Sequence, residues 1–463
     1  MSRPCTILGA GLSGALMAIY LARANVEVAL FERRPDLRKV DMDAGRSINL
    51  ALADRGIHAL RAVGAYEDVE PLLIPMRGRM LHAVDGALTF APYGQRLHEV
   101  IYSVSRPGLT RALLDHGQRR YGVEPRFLQA ARAVDFARDE LLMLDEVSGD
   151  TYTRPLAPLI GADGAGSVVR RAMTGQLGVR VVEDMLDYGY KELTLPAGPG
   201  GTHRIEREAL HVWPRGGFML IALPNLGGSF TITLFLPLKG GPDTFAALHG
   251  HESVDAFFRR HFADVVPLMP GLTREFFEHP IGRMGTVYAD RWSAHGQAVL
   301  LGDAAHAIVP FHGQGMNACF EDCLELDRLL RATAGDWAVS FERFTALRKP
   351  NTDAIAAMAL ENFIEMRDTV RDPKFLLRRQ LSFELERRHP ERFIPRYSMV
   401  MFHHEIPYAV AHERGEAQAA LLAELTDHAD SLEGISPQAM DAAVLERLEP
   451  LSADVRVRAS DAA

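Results

Sequence analysis

Gly9, Gly11 and Gly14 follow an apolar run, Cys5-Thr6-Ile7-Leu8, and open an alanine-rich stretch with helical spacing. A GxGxxG turn between strand and helix suits a pyrophosphate. Gly9 allows the tight turn, Gly11 lets the phosphates approach the backbone, and Gly14 lets helix and strand pack closely. The helix start adds unpaired N–H groups and a positive dipole end. Glu32 closes the next apolar run, Val26 to Phe31, where a carboxylate can accept hydrogen bonds from a ribose. These residues predict a bound dinucleotide and do not separate NAD from FAD.

Two more apolar runs end in Gly/Asp turns that open helices. One is Leu159-Ile-Gly161-Ala-Asp163-Gly164, continuing to Arg170. The other is Leu301-Gly302-Asp303-Ala-Ala-His306, continuing through Pro310 and His312 to Asn317. Asp303 can hold a ribityl hydroxyl, and the N–H groups of Gly315, Met316 and Asn317 can cradle the electron-rich edge of an isoalloxazine. The three motifs, met in this order over residues 9–317, resemble the flavoprotein hydroxylases of the para-hydroxybenzoate hydroxylase type. That resemblance implies one FAD held non-covalently. It places flavin contacts on Ser13, Phe31, Glu32, Arg33, Arg34, Ala51, Arg106, Ala131, Asp303, Met316 and Asn317. The sequence has no second strand–GxGxxG–helix unit, so the nicotinamide reductant is expected to dock briefly at the flavin and leave; the resemblance implies NADPH as that transient co-substrate.

Several longer segments narrow the match. They are Gly45 to Leu52, Met76 to Met80, Pro92-Tyr93-Gly94, Val309 to Asn317, Ala359 to Met366 and Ile394 to Met399. Together they are similar to the kynurenine 3-monooxygenase family, from the first strand to about Tyr408. The family implies hydroxylation of L-kynurenine to 3-hydroxykynurenine with NADPH and O2 through a flavin hydroperoxide, in tryptophan catabolism towards NAD. A guanidinium fork with a nearby phenol suits an amino-acid carboxylate. The resemblance gives those roles to Arg79 and Tyr93, with Asn362 and Tyr397 as further substrate contacts. Glu365 and Met366, at i+3 and i+4 from Asn362, are expected to face the same pocket. Leu210, Met219, Ile221, Leu223 and Phe235, with Thr233 beside them, are candidates for the walls of a dry slot for the ring. An aniline already donates its lone pair, so no general acid or base is expected, and His312 is read as a positioning residue.

These residues need several elements to position them. The 463 residues, with 47% hydrophobic and 24% charged, suit a globular chain of two or three sub-structures. The net charge of −9 argues against nucleic acid as a partner. Three cysteines build no disulfide framework, and Cys319 and Cys323 read as small buried residues, with no metal set around them. The fold expected is α/β (α+β overall). A Rossmann-like FAD-binding domain covers 1–75, 98–185 and 283–345. An antiparallel β-sheet substrate domain covers 76–97 and 186–282, and a helical C-terminal region covers 346–463. Period-2 runs at Met219-Ile221-Leu223 and Phe230-Ile232-Leu234, joined by the turn residues Asn225 to Gly228, predict a hairpin. The last ~30 residues, rich in Ala, Asp, Glu and Ser, are expected to be poorly ordered.

No presequence and no membrane anchor are expected, which gives a cytoplasmic protein; a monomer or homodimer is expected. Rival readings keep the flavin motifs and change the rest. A hydroxylase of a hydroxybenzoate or anthranilate would not need Arg79, Tyr93, Asn362 and Tyr397 together. A reductase of the geranylgeranyl type would favour a long apolar tunnel, and a redox sensor would need no substrate.

Overall fold

The computed structural model describes residues 4–40, 49–156, 158–368 and 373–451. Gly45 to Ile48, half of one family-like segment, lie outside the described residues, as do residues 452–463.

One sheet explains why three distant motifs can act together. Its strand order is Ser293–Ala294, Ala298–Leu300, Leu159–Gly161, Cys5–Leu8, Val28–Glu32, Arg126–Phe127, parallel apart from the first pair. Each strand that carries a Gly/Asp turn therefore lies beside another, and all three turns leave the same carboxyl edge. Cross-strand bonds hold the edge together: Gly9 N donates to Phe31 O at 2.7 Å, Ala162 N to Leu8 O at 2.9 Å, and Leu301 N to Gly161 O at 2.9 Å. That edge is where open α/β sheets bind nucleotides.

A second, seven-stranded sheet runs Gly282–Ala289, Val181–Leu195, Phe230–Pro237, Met219–Pro224, Ala209–Pro214, Gly78–His82, Leu88–Pro92. All its neighbours are antiparallel except Ala209–Pro214 with Gly78–His82. The expected hairpin is present, with Met219 opposite Phe235, Ile221 opposite Thr233 and Leu223 opposite Thr231. Its turn closes through Asn225 N to Ser229 O at 2.8 Å, and Gly228 takes a φ of +85° that favours glycine. Alternation then divides the work. Leu220, Ala222, Phe230, Ile232 and Leu234 pack under the helices His251–His261 and Leu272–Glu278, burying Phe257, Phe258 and Phe276. The other face is left for a cavity.

Two small antiparallel sheets complete the β structure: Asn49–Leu52, Ile101–Ser105 and Ile74–Met76, and Gln129–Asp135, Glu140–Asp145 and Thr151–Pro155. The helix Arg106–Tyr121 starts where it does because Ser105 Oγ caps Gly108 N at 3.3 Å and Pro107 suits a first turn. Strand Val181–Leu195, strand Gly282–Ala289 and helix Trp337–Asp368 run through the expected boundaries near 185, 282 and 345.

Within the last ~30 residues, the described part, up to residue 451, departs from expectation. Pro437–Arg447 is a helix capped by Ser436 Oγ on Ala439 N at 3.2 Å. Met440 and Val444, one helical turn apart, enter a core with Leu377, Leu381, Leu385 and Leu421. The alanine-rich composition hides that pair.

Candidate functional site

At the first turn the three glycines have three different surroundings. A Cβ on Gly9 would lie 2.4 Å from Ala162 O, and one on Gly14 would lie 1.9 Å from Gly9 O. A Cβ on Gly11 would meet no atom within 4 Å, so this glycine borders open space. The helix Leu12–Arg23 has no side-chain cap, and its first N–H groups face that space. Glu32 accepts Ala10 N and Arg34 N, each at 2.9 Å, which fixes the carboxylate at the strand end. Asp163 accepts Val168 N at 2.6 Å through Oδ2, while its buried Oδ1 has no partner. A backbone cradle, a fixed acid and an orphaned carboxylate oxygen fit a dinucleotide.

The third turn is held from beneath. Asp322, fully buried, accepts His306 Nε2 at 2.5 Å, Arg348 Nε at 2.7 Å and Gly302 N at 3.3 Å. Burial alone would raise its pKa, but His306 and Arg348 outweigh that and hold it below the usual carboxylate range. Asn317 ties the loop to the neighbouring sheet: its Oδ1 accepts Ala53 N at 2.9 Å, and its Nδ2 donates to Ala51 O at 2.9 Å and Gly313 O at 3.0 Å. Its side chain is thus a strut, and only its backbone N–H is free to serve a ligand.

Beside this loop lies a cavity of about 410 Å³. Leu210, Met219, Ile221, Leu223, Thr233 and Phe235 line it, as do Ala51, Asp303, His312, Met366, Arg79, Tyr93 and Tyr397. A second cavity of about 280 Å³ adjoins it and is lined by Asn362, Glu365, Arg378, Arg379 and Arg396, among others. Arg79, Tyr93, His312 and Tyr397 border both cavities. The rings of Tyr93, Tyr397 and His312 form a stack with successive centroid spacings of 5.4 Å. Arg79 lies against it, 5.1 Å from the Tyr397 ring centre, with Glu365 at 3.8 Å. Asn362 donates to Phe311 O at 2.6 Å. The single pocket expected for Asn362, Glu365 and Met366 is therefore split by this partition.

Three polar atoms of the partition are unpartnered. Arg79 Nε, the Tyr93 hydroxyl and His312 Nδ1 are buried without a hydrogen-bond partner. Burial opposes the Arg79 charge, but Tyr397, Tyr93 and Glu365 more than offset it and the pKa stays above its usual value. Burial pushes the Tyr93 and Tyr397 hydroxyls up, so both keep their protons. It drives His312 down to about 3, so this imidazole is neutral.

The remaining expected flavin contacts lie away from the cavity lining. Ser13 sits under Gly302, where a glycine Cβ would come 2.5 Å from its Oγ. Arg126 and Arg154 place their guanidinium carbons 5.4 and 4.9 Å from the buried Phe31 ring centre. Arg33 and Arg34 are exposed, Arg106 opens its helix, and Ala131 is on the strand Gln129–Asp135, opposite Met143. Gly315 and Met316 begin the helix Gly315–Ala332. Sequence reasoning missed Tyr190, Glu192, Arg283 and Met284 in the lining. The signal was the alternation Tyr190-Glu192-Thr194 opposite Leu193-Leu195, which a Lys191-Glu192 pair disguises as a solvated edge.

Comparison with known proteins gives the family and the fold. Residues 3–345 match the family described as FAD binding domain. Kynurenine 3-monooxygenase of Stenotrophomonas maltophilia is 47% identical over 450 residues, covering 97% of this chain and 98% of that one. The protein of the same name from Myxococcus xanthus is 46% identical over 445 residues, covering 96% and 95%. Among solved structures, 2-methyl-3-hydroxypyridine-5-carboxylic acid oxygenase superposes with a TM-score of 0.62 at 20% identity, covering 80% of this chain and 94% of that one. P. aeruginosa PqsL in complex with 2-aminobenzoylacetate gives 0.62 at 21% identity, covering 79% and 96%. At such identities these two speak for the fold. Among the described residues, no helix is long and apolar enough to cross a membrane.

Proposed function

The chain belongs to the FAD binding domain family and, within it, to the kynurenine 3-monooxygenases, and from that premise we propose that it hydroxylates L-kynurenine to 3-hydroxykynurenine with NADPH and O2. The observation that carries the substrate is Arg79. A buried guanidinium with an unpartnered Nε, beside protonated phenols, is a receptor for a carboxylate. A hydroxybenzoate hydroxylase would also bind a carboxylate, but Glu365 at 3.8 Å from Arg79 gives an ammonium its counter-charge.

FAD, when bound, supplies the hydride-accepting and oxygen-activating chemistry. Gly11 and the start of Leu12–Arg23 would hold its pyrophosphate, Glu32 a ribose, and Asp303 with Gly315 to Asn317 the ribityl and ring end. The chain's own side chains do the rest. Arg79 and the Tyr93 hydroxyl grip the headgroup, while Met219, Ile221, Leu223 and Phe235 flank the ring and keep water from the reacting carbon. Asn362 fixes the Phe311 carbonyl and so the loop that carries His312. Neutral His312 stacks on Tyr397 and orients that ring. No side chain needs to remove a proton to make an aniline nucleophilic. The division into flavin, β-sheet and helical parts, a monomer or homodimer, and a cytoplasmic setting belong to the same proposal; three buried unpaired cysteines fit a reducing compartment.

A substrate panel tests this reading. L-Kynurenine should stimulate NADPH oxidation strongly, with anthranilate and 4-hydroxybenzoate weak. Equal stimulation by all three would defeat the headgroup assignment.

A further inference from the structure

Glu192 lies on the strand Val181–Leu195, opposite Thr233, which in turn faces Ile221. Its side chain thereby joins the row that walls the larger cavity. It is only 9% exposed, and Oε2 meets no hydrogen-bond partner. None of the roles assigned above uses it. Four strand spacings separate it from Arg79, roughly 19 Å at about 4.8 Å each, too far for both to grip one headgroup. Glu192 instead shares the cavity with Ala165 and Asp303 of the second and third turns. Arg106, which the family resemblance gives to the flavin, is among the charges acting on it.

We propose that Glu192 takes up a proton from solvent when the isoalloxazine bound in this cavity is reduced, so that the wall neutralises the charge entering it. Two electrons and one proton arrive together as hydride from the nicotinamide co-substrate, which leaves one negative charge on the ring. One carboxylate oxygen of Glu192 binds one proton from water, and reoxidation returns it. The inference rests on the cavity being the isoalloxazine's site.

Burial pushes Glu192 up to about 7, with His279 and Arg106 pulling it down. The other groups around it are Tyr190 on its own strand, kept protonated by burial, Arg283 on the adjoining strand, and Asp303 across the cavity. A carboxyl poised near neutrality responds to one more nearby negative charge by binding its proton more tightly.

Midpoint potential against pH, measured by spectroelectrochemistry on the yellow holoenzyme over about pH 7 to 9, reads the protons bound per two electrons. The reduced-flavin spectrum reports the ring's own protonation separately. Wild type should show nearly one proton more than Glu192→Gln, and Glu192→Asp should keep that extra proton. Equal slopes in wild type and Glu192→Gln would overturn the proposal, as would loss of the extra proton in Glu192→Asp, which would assign it to altered packing. A colourless preparation would overturn the cavity assignment itself; a yellow one with unchanged slopes overturns only the role of Glu192.

Discussion

Arg79 sits where a charge is expensive. Its surroundings are aromatic rings and a cavity wall, and its Nε is unpartnered. In the function proposed above a ligand carboxylate completes that site, and a charge-assisted hydrogen bond contributes about 1.5–3 kcal/mol. Arg79→Ala should therefore raise KM for L-kynurenine about 100-fold, with more hydrogen peroxide released per NADPH; steady-state kinetics with a peroxide assay checks both. Arg79→Lys should recover only part, since a point charge cannot reproduce the fork. The family resemblance pointed to this guanidinium, phenol and amide, but not to the ring stack that divides their cavity in two. That stack arises from Tyr93, His312 and Tyr397 meeting across more than 300 positions of chain, which no local pattern records.

The turns show the opposite case, in which local sequence was enough. Strand, glycines and helix at the first motif are dictated by close approach, and Gly9, Gly11 and Gly14 divide into packed and open positions. Gly11→Ala should fold with an unchanged apo Tm, yet bind FAD at least about 10-fold more weakly, because its methyl group occupies the pyrophosphate's approach. Gly14→Ala should lower the apo Tm as well, because its Cβ collides with Gly9 O. Thermal melts and fluorescence titration of FAD separate the two. Under the third turn, Asp322→Asn leaves His306 without its anion and Arg348 with Glu321, at 2.8 Å, as its remaining carboxylate partner. Losing one partner of a buried pair costs about 3–5 kcal/mol, so a large drop in Tm is expected, read by calorimetry. Asp322 was invisible in the sequence: on a helix it reads as a solvated face, and only Arg348 and His306, brought from other elements, make it a buried anchor. The final helix was missed for a related reason, since Met440 and Val444 acquire meaning only from the core they enter.

At the level of the whole molecule, one cavity draws its walls from the nucleotide sheet's loops, the seven-stranded sheet and the C-terminal helices. Folding leaves two imidazoles uncharged, with burial holding His211 down to about 4 and, in the cavity wall, His312 down to about 3. In the unfolded chain both bind protons near 6.5, so their contribution is full above that pH and falls as pH drops from about 6.5 towards 4 and 3. Glu192 acts in the other direction, losing stability as pH rises from its unfolded value of 4.5 to about 7. Chemical denaturation at several pH values should show acid loss that is shallower in His312→Gln. The role proposed for this cavity is to bring a flavin and an amino-acid-bearing aniline together. The mass of the product formed per NADPH consumed by the yellow protein under ¹⁸O₂ tests it. Close to one product molecule per NADPH is expected, carrying one ¹⁸O on the ring beside the amino group. Kynurenine-stimulated NADPH oxidation that yields hydrogen peroxide and unaltered kynurenine would contradict it.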